Sequence, residues 1–274
     1  MSFQKKATLM SPMLDKGPAA LYGQTVCTIF FKTDMDVIKK LLPPPLEALG
    51  EPYAIAYGGD FEITNSGPGH REVALAFPCV FQGVVGTWAH TVSVDNDMGM
   101  LAYRETMGYP KKMANIRAEV SEFDALVVAE RYGIEYMHLE AEWNGQLNNP
   151  REFEKMEAVL APPKSEDGKR YGTIYTFKFS PSATGDGFEY EPRVYATPSI
   201  KVPLKPGATG ACRLTFRHLK HDPVSEVPVR EVLGASLSYT DHYLNLNRAK
   251  LVATVPGDIF KPYSYYNYDI PEKL

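Results

Sequence analysis

A chain of 274 residues with 44% hydrophobic content is long enough to bury a substantial core in one large domain or two small ones. Its 23% charged residues and formal net charge of −4 leave no basic footprint for nucleic acid. No apolar stretch approaches the roughly 20 residues that span a bilayer, and the polar, basic segment Met1–Ser11 lacks the apolar core of a secretory signal. No membrane partner and a cytoplasmic location are therefore expected. Cys27, Cys79 and Cys212 are few, odd in number and far apart, which argues against a disulfide framework or a cysteine-based zinc site; each reads as a buried thiol.

Short β-prone runs punctuated by 22 Pro and 21 Gly dominate the pattern. Thr25–Lys32 is the first predicted strand. Thr33-Asp34 then caps a short helix running through Leu42 and ended by Pro43-Pro44-Pro45. Tyr53–Ile63, interrupted by Gly58-Gly59, is the next strand, and Val73–Phe81 and Val84–Val94 flank a turn or bulge at Gln82-Gly83. Asp97–Met107 reads as helical, with Gly108 near its end. Strands follow at Arg117–Phe123, Leu126–Ile134, Tyr136–Trp143, Thr173–Phe179, Arg193–Val202 and Ala211–His218, with polar loops at Asn144–Glu152 and Pro162–Tyr171. A third helix is expected over Val227–Gly234, with Pro228 in its first turn. The Tyr-rich tail Pro262–Leu274 is expected to pack on the body or on a neighbouring subunit. So many strands with so few helices exclude a parallel α/β sheet. The expectation is a single domain over residues 1–274, of α+β type and mostly antiparallel β.

The chemistry concentrates in Tyr103–Met113, which reads Tyr-Arg-Glu-Thr-Met-Gly-Tyr-Pro-Lys-Lys-Met. Pro110 ends the preceding helix, and Lys111-Lys112 follows directly between Tyr109 and Met113. Adjacent cations and partial burial both raise the cost of charging a lysine. With a pKa of about 10.4, a free lysine is less than about 0.1% neutral at pH 7; lowering that pKa by roughly 4 makes most of it a nucleophilic amine, a difference worth about 5.5 kcal/mol. Taken alone, the dipeptide reads as an ordinary solvated pair in a turn, and it is the wider resemblance that points to chemistry.

Arg104-Glu105 followed by Tyr109-Pro110-Lys111-Lys112 resembles the active-site segment of the acetoacetate decarboxylase family. Phe31-Lys32-Thr33-Asp34-Met35-Asp36 leading to Leu42-Pro43 and Pro45-Leu46-Glu47 resembles an early block of the same family. Phe81-Gln82-Gly83-Val84 through Asp95-Asn96, and Val227 to Val232, add to the likeness. Acetoacetate decarboxylase is itself the known instance of a lysine activated by desolvation or by a neighbouring cation. The resemblance implies a strongly curved antiparallel sheet closed into a cone or barrel around the active site, with a few peripheral helices, assembled into homo-oligomers. It implies a Schiff base on Lys111, with Lys112 as its neighbour, and it places the family's functional glutamate at Glu72. A family arginine at the start of the first strand falls on Gln24, and a second family glutamate falls on Tyr57. Arg104 and Tyr109, within the lysine block, are expected to bind substrate. Glutamine offers neither the full charge nor the fork of arginine, so these departures separate the chain from enzymes dedicated to acetoacetate.

The expected function is a carbon–carbon lyase that decarboxylates a 3-oxo acid without a cofactor or metal. The alternatives are a Schiff-base aldolase or dehydratase acting on pyruvate and an aldehyde, or a non-catalytic small-ligand scaffold. Six histidines form no HExxH-like array, and Gly-x-Ser-x-Gly and P-loop patterns are absent. His90, on a strand leading to the lysine block, reads as a core histidine.

Overall fold

The computed structural model describes residues 18–65, 67–264 and 268–269. The elements run, in chain order, β1 (Ala19–Lys32), α1 (Met35–Leu41), β2 (Glu47–Ala48), β3 (Tyr53–Thr64), β4 (Pro68–Phe81), β5 (Val84–Val94), α2 (Asp97–Met107), β6 (Lys111–Met113), β7 (Asn115–Val120), β8 (Asp124–Arg131) and β9 (Ile134–Glu142). They continue with α3 (Pro150–Leu160), β10 (Gly172–Lys178), β11 (Arg193–Pro203), β12 (Ala208–Phe216), β13 (Glu231–Leu244), β14 (Lys250–Thr254) and α4 (Gly257–Ser264).

Strands β11, β10, β5, β4, β3, β1 and β13 pair in that order, and β13 returns to β11 through Thr240–Leu244 opposite Ser199–Pro203. The sheet thus closes into a seven-stranded barrel, as the family resemblance implies. Its pairings are antiparallel except β5 with β10. The first half of β13 pairs with β12, and β9, β8 and β7 extend from there as an antiparallel layer folded against the barrel.

Period-two alternation divides the barrel strands between two environments. On β1, Cys27, Ile29 and Phe31 point outward into the main core; on β4, Val73, Leu75, Phe77 and Cys79 do the same, meeting Val127 and Ala129 of β8 and Met137 and Leu139 of β9. The alternate residues Gln24, Val26, Thr28 and Phe30 of β1 face the barrel interior. Gly59 permits the close approach of β1 and β3, because a Cβ there would lie 2.1 Å from the Thr25 carbonyl oxygen.

Several segments differ from the sequence expectation. Val227–Gly234 is not a helix: the chain is extended by Val227, and Glu231 already pairs with Lys32 as β13 begins. The free edge of β1 supplies backbone partners there, and Val227, Val229 and Val232 suit a strand better than a helix. Asn149 begins α3 inside the expected loop Asn144–Glu152, its side chain accepting from the Glu152 N–H at 3.1 Å, with Pro150 in the first turn. Leu126–Ile134 is broken by a tight turn at Tyr132 and Gly133, both with positive φ, which joins β8 to β9 as a hairpin. In the first helix, Asp34 makes no side-chain cap; its carboxylate instead receives Arg230, at 2.9 and 2.6 Å.

Helix α2 delivers the lysine block. Asn96 caps its start, accepting from the Gly99 N–H at 2.6 Å. Gly108 ends it in the left-handed region, φ 82°, its N–H reaching back to Arg104. The chain then turns through Tyr109-Pro110 into β6, which lies parallel to β5 with Lys111 beside Val92. A Cβ at Gly108 would stand 2.4 Å from the Phe177 carbonyl oxygen. Gly108→Ala is therefore expected to lower stability in urea denaturation by about 1–3 kcal/mol from the backbone conformation alone. An unchanged midpoint would show that this turn does not set the path into β6.

Candidate active site

The barrel encloses a cavity of about 640 Å³. Gln24, Tyr57, Glu72, Tyr109 and Lys111 all line it, so β1, β3, β4, β6 and the turn that leads into β6 bring together five of the side chains singled out by sequence. Lys111 is 3% exposed and Glu72 7%. The Lys111 Nζ donates to Glu72 Oε2 at 2.6 Å, and the Tyr57 hydroxyl donates to Glu72 Oε1 at 2.9 Å. His70, two residues before Glu72 on the same face of β4, brings Nε2 to 3.6 Å from Oε2. The Lys111 Nζ also sits 4.2 Å from the ring centroid of Tyr103, which α2 contributes.

Burial pushes the Lys111 amine below its ordinary pKa, and the charge and hydrogen bond of Glu72 only partly restore it. For Glu72, burial is the largest influence and works to raise the pKa, but the Lys111 charge and hydrogen bond together with the His70 contact outweigh it and hold the carboxyl well below the usual carboxylate range. Burial raises Tyr57 and Tyr109, with the Glu72 charge adding to it, so both phenols remain protonated.

Lys112 lies on the other face of β6, outside the cavity lining. Its Nζ donates to the His221 carbonyl at 2.7 Å and pairs with Asp222 at 2.9 Å and Asp269 at 3.3 Å. Arg131 binds the same two carboxylates. Asp269, from the Tyr-rich tail, thus packs on the body, while residues 265–267 and 270–274 lie outside the described set. Arg104 also turns away from the cavity, its guanidinium 5.1 Å from the centre of the Tyr268 ring. His90 packs beside Phe77 and Trp88 in the core, and burial together with the Lys112 charge lowers its pKa to about 3.

Sequence reasoning assigned no role to three cavity neighbours. His70 is signalled by its spacing of two from Glu72 on a strand. Lys201 and His242 carry no local signal; they meet only because β11 and β13 close the barrel, opposite each other. Among the described residues, no group of three or more His, Cys, Asp or Glu is arranged to hold a metal ion. No helix among them is long and apolar enough to cross a membrane.

With two carboxylates and Arg131 around it, the Lys112 charge is offset, and it faces away from Lys111. Lys112→Met is expected to leave the pH midpoint of Lys111 reactivity nearly unchanged while costing about 3 kcal/mol of stability, since it unbalances a buried ionic cluster. A midpoint that rises by a whole pH unit would instead assign the activation of Lys111 to its neighbour.

The family model described as acetoacetate decarboxylase matches residues 6–253. The acetoacetate decarboxylase of Clostridium beijerinckii is 25% identical over 255 residues, 92% of this chain and 95% of that protein. That of Clostridium acetobutylicum is 27% identical, covering 91% and 95%. Among solved structures, the acetoacetate decarboxylase of Legionella pneumophila shares the fold with a TM-score of 0.72 at 18% identity, covering 92% of this chain and 99% of its own. The enduracididine biosynthesis enzyme MppR, complexed with the condensation product of pyruvate and imidazole 4-carboxaldehyde, has a TM-score of 0.68 at 17% identity, covering 92% and 95%. With a lysine–glutamate pair inside a closed barrel and a family match over nearly its whole length, this chain belongs to the acetoacetate decarboxylase family.

Proposed function

We propose that the protein decarboxylates a 3-oxo acid bearing an apolar substituent, through a Schiff base on Lys111. The observation that carries this reading is the buried Lys111 amine, held 2.6 Å from Glu72 inside a cavity of about 640 Å³. The neutral amine adds to the ketone carbon, and water leaves to give a protonated imine. The electron pair of the bond to the carboxylate then moves to the imine nitrogen as CO₂ departs. The resulting enamine takes a proton at carbon, and water hydrolyses the imine to release the ketone and restore the amine. Glu72 lies within hydrogen-bond reach of the lysine nitrogen and so can take and return its protons. Tyr57, protonated, steadies the other carboxylate oxygen.

The relatives named for acetoacetate act on a small acid, whereas this cavity has room for a longer one. Its lining includes Val26, Phe30, Ile55, Ala76 and Val85. The likeness to MppR supports a second reading, condensation of pyruvate with an aldehyde through the same imine. Incubation with each substrate set separates them, one releasing CO₂ and the other a condensation product.

Two measurements test the leading reading. Borohydride with a ketone should add mass at Lys111, and Lys111→Ala should abolish the label. Only the neutral amine attacks, so labelling rises with pH through the lysine pKa, with a midpoint below the ordinary 10.5. Glu72 holds that pKa up, so Glu72→Gln should move the midpoint to lower pH while slowing turnover by about 10²-fold. Labels on Lys112 or on scattered surface lysines, or a wild-type midpoint near 10, would sink the assignment. Separately, kcat/KM should climb from acetoacetate through 3-oxohexanoate to 3-oxooctanoate, by up to about fourfold for each buried methylene at about 0.8 kcal/mol. A preference for acetoacetate would show that the apolar wall does not bind substrate.

A further inference from the structure

The cavity holds a second lysine. Lys201 on β11 lines it, directly opposite His242 of β13, so the two side chains share one face. Lys111 is paired with Glu72, but no carboxylate among the described residues pairs with Lys201, and burial pushes its amine below the ordinary lysine value, a shift that a bound carboxylate would counter. Two neutral side chains beside it have nitrogens without a partner. Gln24 is 1% exposed, and its Oε1 accepts from the Thr240 hydroxyl at 3.4 Å, yet its Nε2 has no hydrogen bond. The buried Nε2 of His242 has none either. Burial and the Lys201 charge push the His242 pKa down to about 3, so the ring is neutral at pH 7. A buried amide N–H left unpaired costs about 1–3 kcal/mol, which an anionic ligand would recover.

The strand registers locate this patch relative to the reactive pair. Val26 of β1 stands opposite Gly59, which stands opposite Glu72. One inward-facing step along β1 in one direction is Gln24, paired with Thr240, and the next inward residue of β13 is His242 facing Lys201. Two inward steps the other way is Phe30, opposite Ile55, itself opposite Ala76. The polar patch and the apolar wall therefore lie on opposite sides of the Glu72 level. A 3-oxo acid has the same order: carboxylate, ketone, apolar substituent.

Resting on the Schiff-base reading of Lys111, we propose that Lys201, with the side-chain nitrogens of Gln24 and His242, binds the substrate carboxylate and so directs the apolar substituent toward Phe30 and Ile55. Lys201 is a positioning residue. A carboxylate held against an ammonium resists losing its charge, so Lys201 acts on KM and on orientation and does not speed the loss of CO₂.

Calorimetric titration of the full chain with hexanoate, a carboxylate without a ketone, reads the anion site alone. Lys201→Gln should weaken hexanoate about tenfold or more, as expected for losing a hydrogen bond to a charged group. Lys201→Arg keeps the charge and should stay within about threefold. Thermal melting confirms that each variant is folded. Equal affinity of folded Lys201→Gln and wild type overturns the proposal, as does a loss in Lys201→Arg as large as in Lys201→Gln. With 3-oxohexanoate, Lys201→Gln should raise KM by a similar factor with kcat unchanged or higher; a fall confined to kcat overturns it. Borohydride trapping of 2-pentanone, which has no carboxylate, reads Lys111 separately and should be equal in wild type and Lys201→Gln. No label in wild type, with hexanoate binding still dependent on Lys201, overturns the Schiff-base reading and leaves the anion site standing. A Lys111 label with hexanoate binding independent of Lys201 does the reverse.

Discussion

The pairing of Lys111 with Glu72 inside the barrel is the constraint on which the rest of the structure turns. Each ion removed from water costs several kcal/mol, and only close, well-oriented partners offset that. Here the offset comes from the 2.6 Å contact itself, from the Tyr57 hydroxyl on the second carboxylate oxygen, from His70 nearby and from the Tyr103 ring beneath the ammonium. These groups come from β3, β4, β6 and α2. The barrel must be closed, and α2 must end where it does, for them to meet. Gly99 belongs to the same requirement: a Cβ there would lie 2.9 Å from the His70 ring, so glycine is what lets α2 settle onto β4.

The same sheet separates two sets of charges that the chain places side by side. Lys111 and Lys112 are neighbours in sequence, but a strand sends alternate residues to opposite faces. Lys111 enters a cavity in which Glu72 supplies the one carboxylate among the described residues. Lys112 enters a cluster with Asp222, Asp269 and Arg131. Desolvation lowers the pKa of one amine, and the other is ion-paired in a structural cluster. Burial, not repulsion between the pair, lowers the Lys111 pKa, because the neighbouring charge is turned away and compensated.

The cavity face of β1 differs from one end to the other. Parity puts Gln24, Val26, Thr28 and Phe30 into the cavity in sequence, with an amide at one end and an aromatic ring at the other. Binding an asymmetric molecule in one orientation needs such a difference, since a few fixed polar groups set direction while apolar area supplies affinity. The Lys111 amine pairs with Glu72 at a level between the Gln24 and Phe30 ends of β1.

Much of this was legible in the chain. The β-rich class, the strands on either side of Gln82-Gly83, helix α2 with its Gly108 terminus, and Lys111, Glu72, Tyr57, Tyr109 and Gln24 as candidates all follow from local pattern or from residues that resemble the family. Those signals are carried by neighbours in sequence, where turn chemistry, alternation and capping act. Val227–Gly234 went astray for the opposite reason: its proline and short length suit a helix start, but the open edge of β1, some 200 residues earlier, offered a better set of backbone hydrogen bonds. Lys112 and Arg104 sit in the most specific motif and yet face away from the cavity, since a motif does not say which side of a strand or helix will be inside. Lys201 and His242 have no motif at all. They became neighbours of Gln24 only when β13 crossed from β1 to β11 and closed the barrel, and a contact across that seam depends on strand register, which is set by the packing of the whole sheet and not by any stretch of sequence.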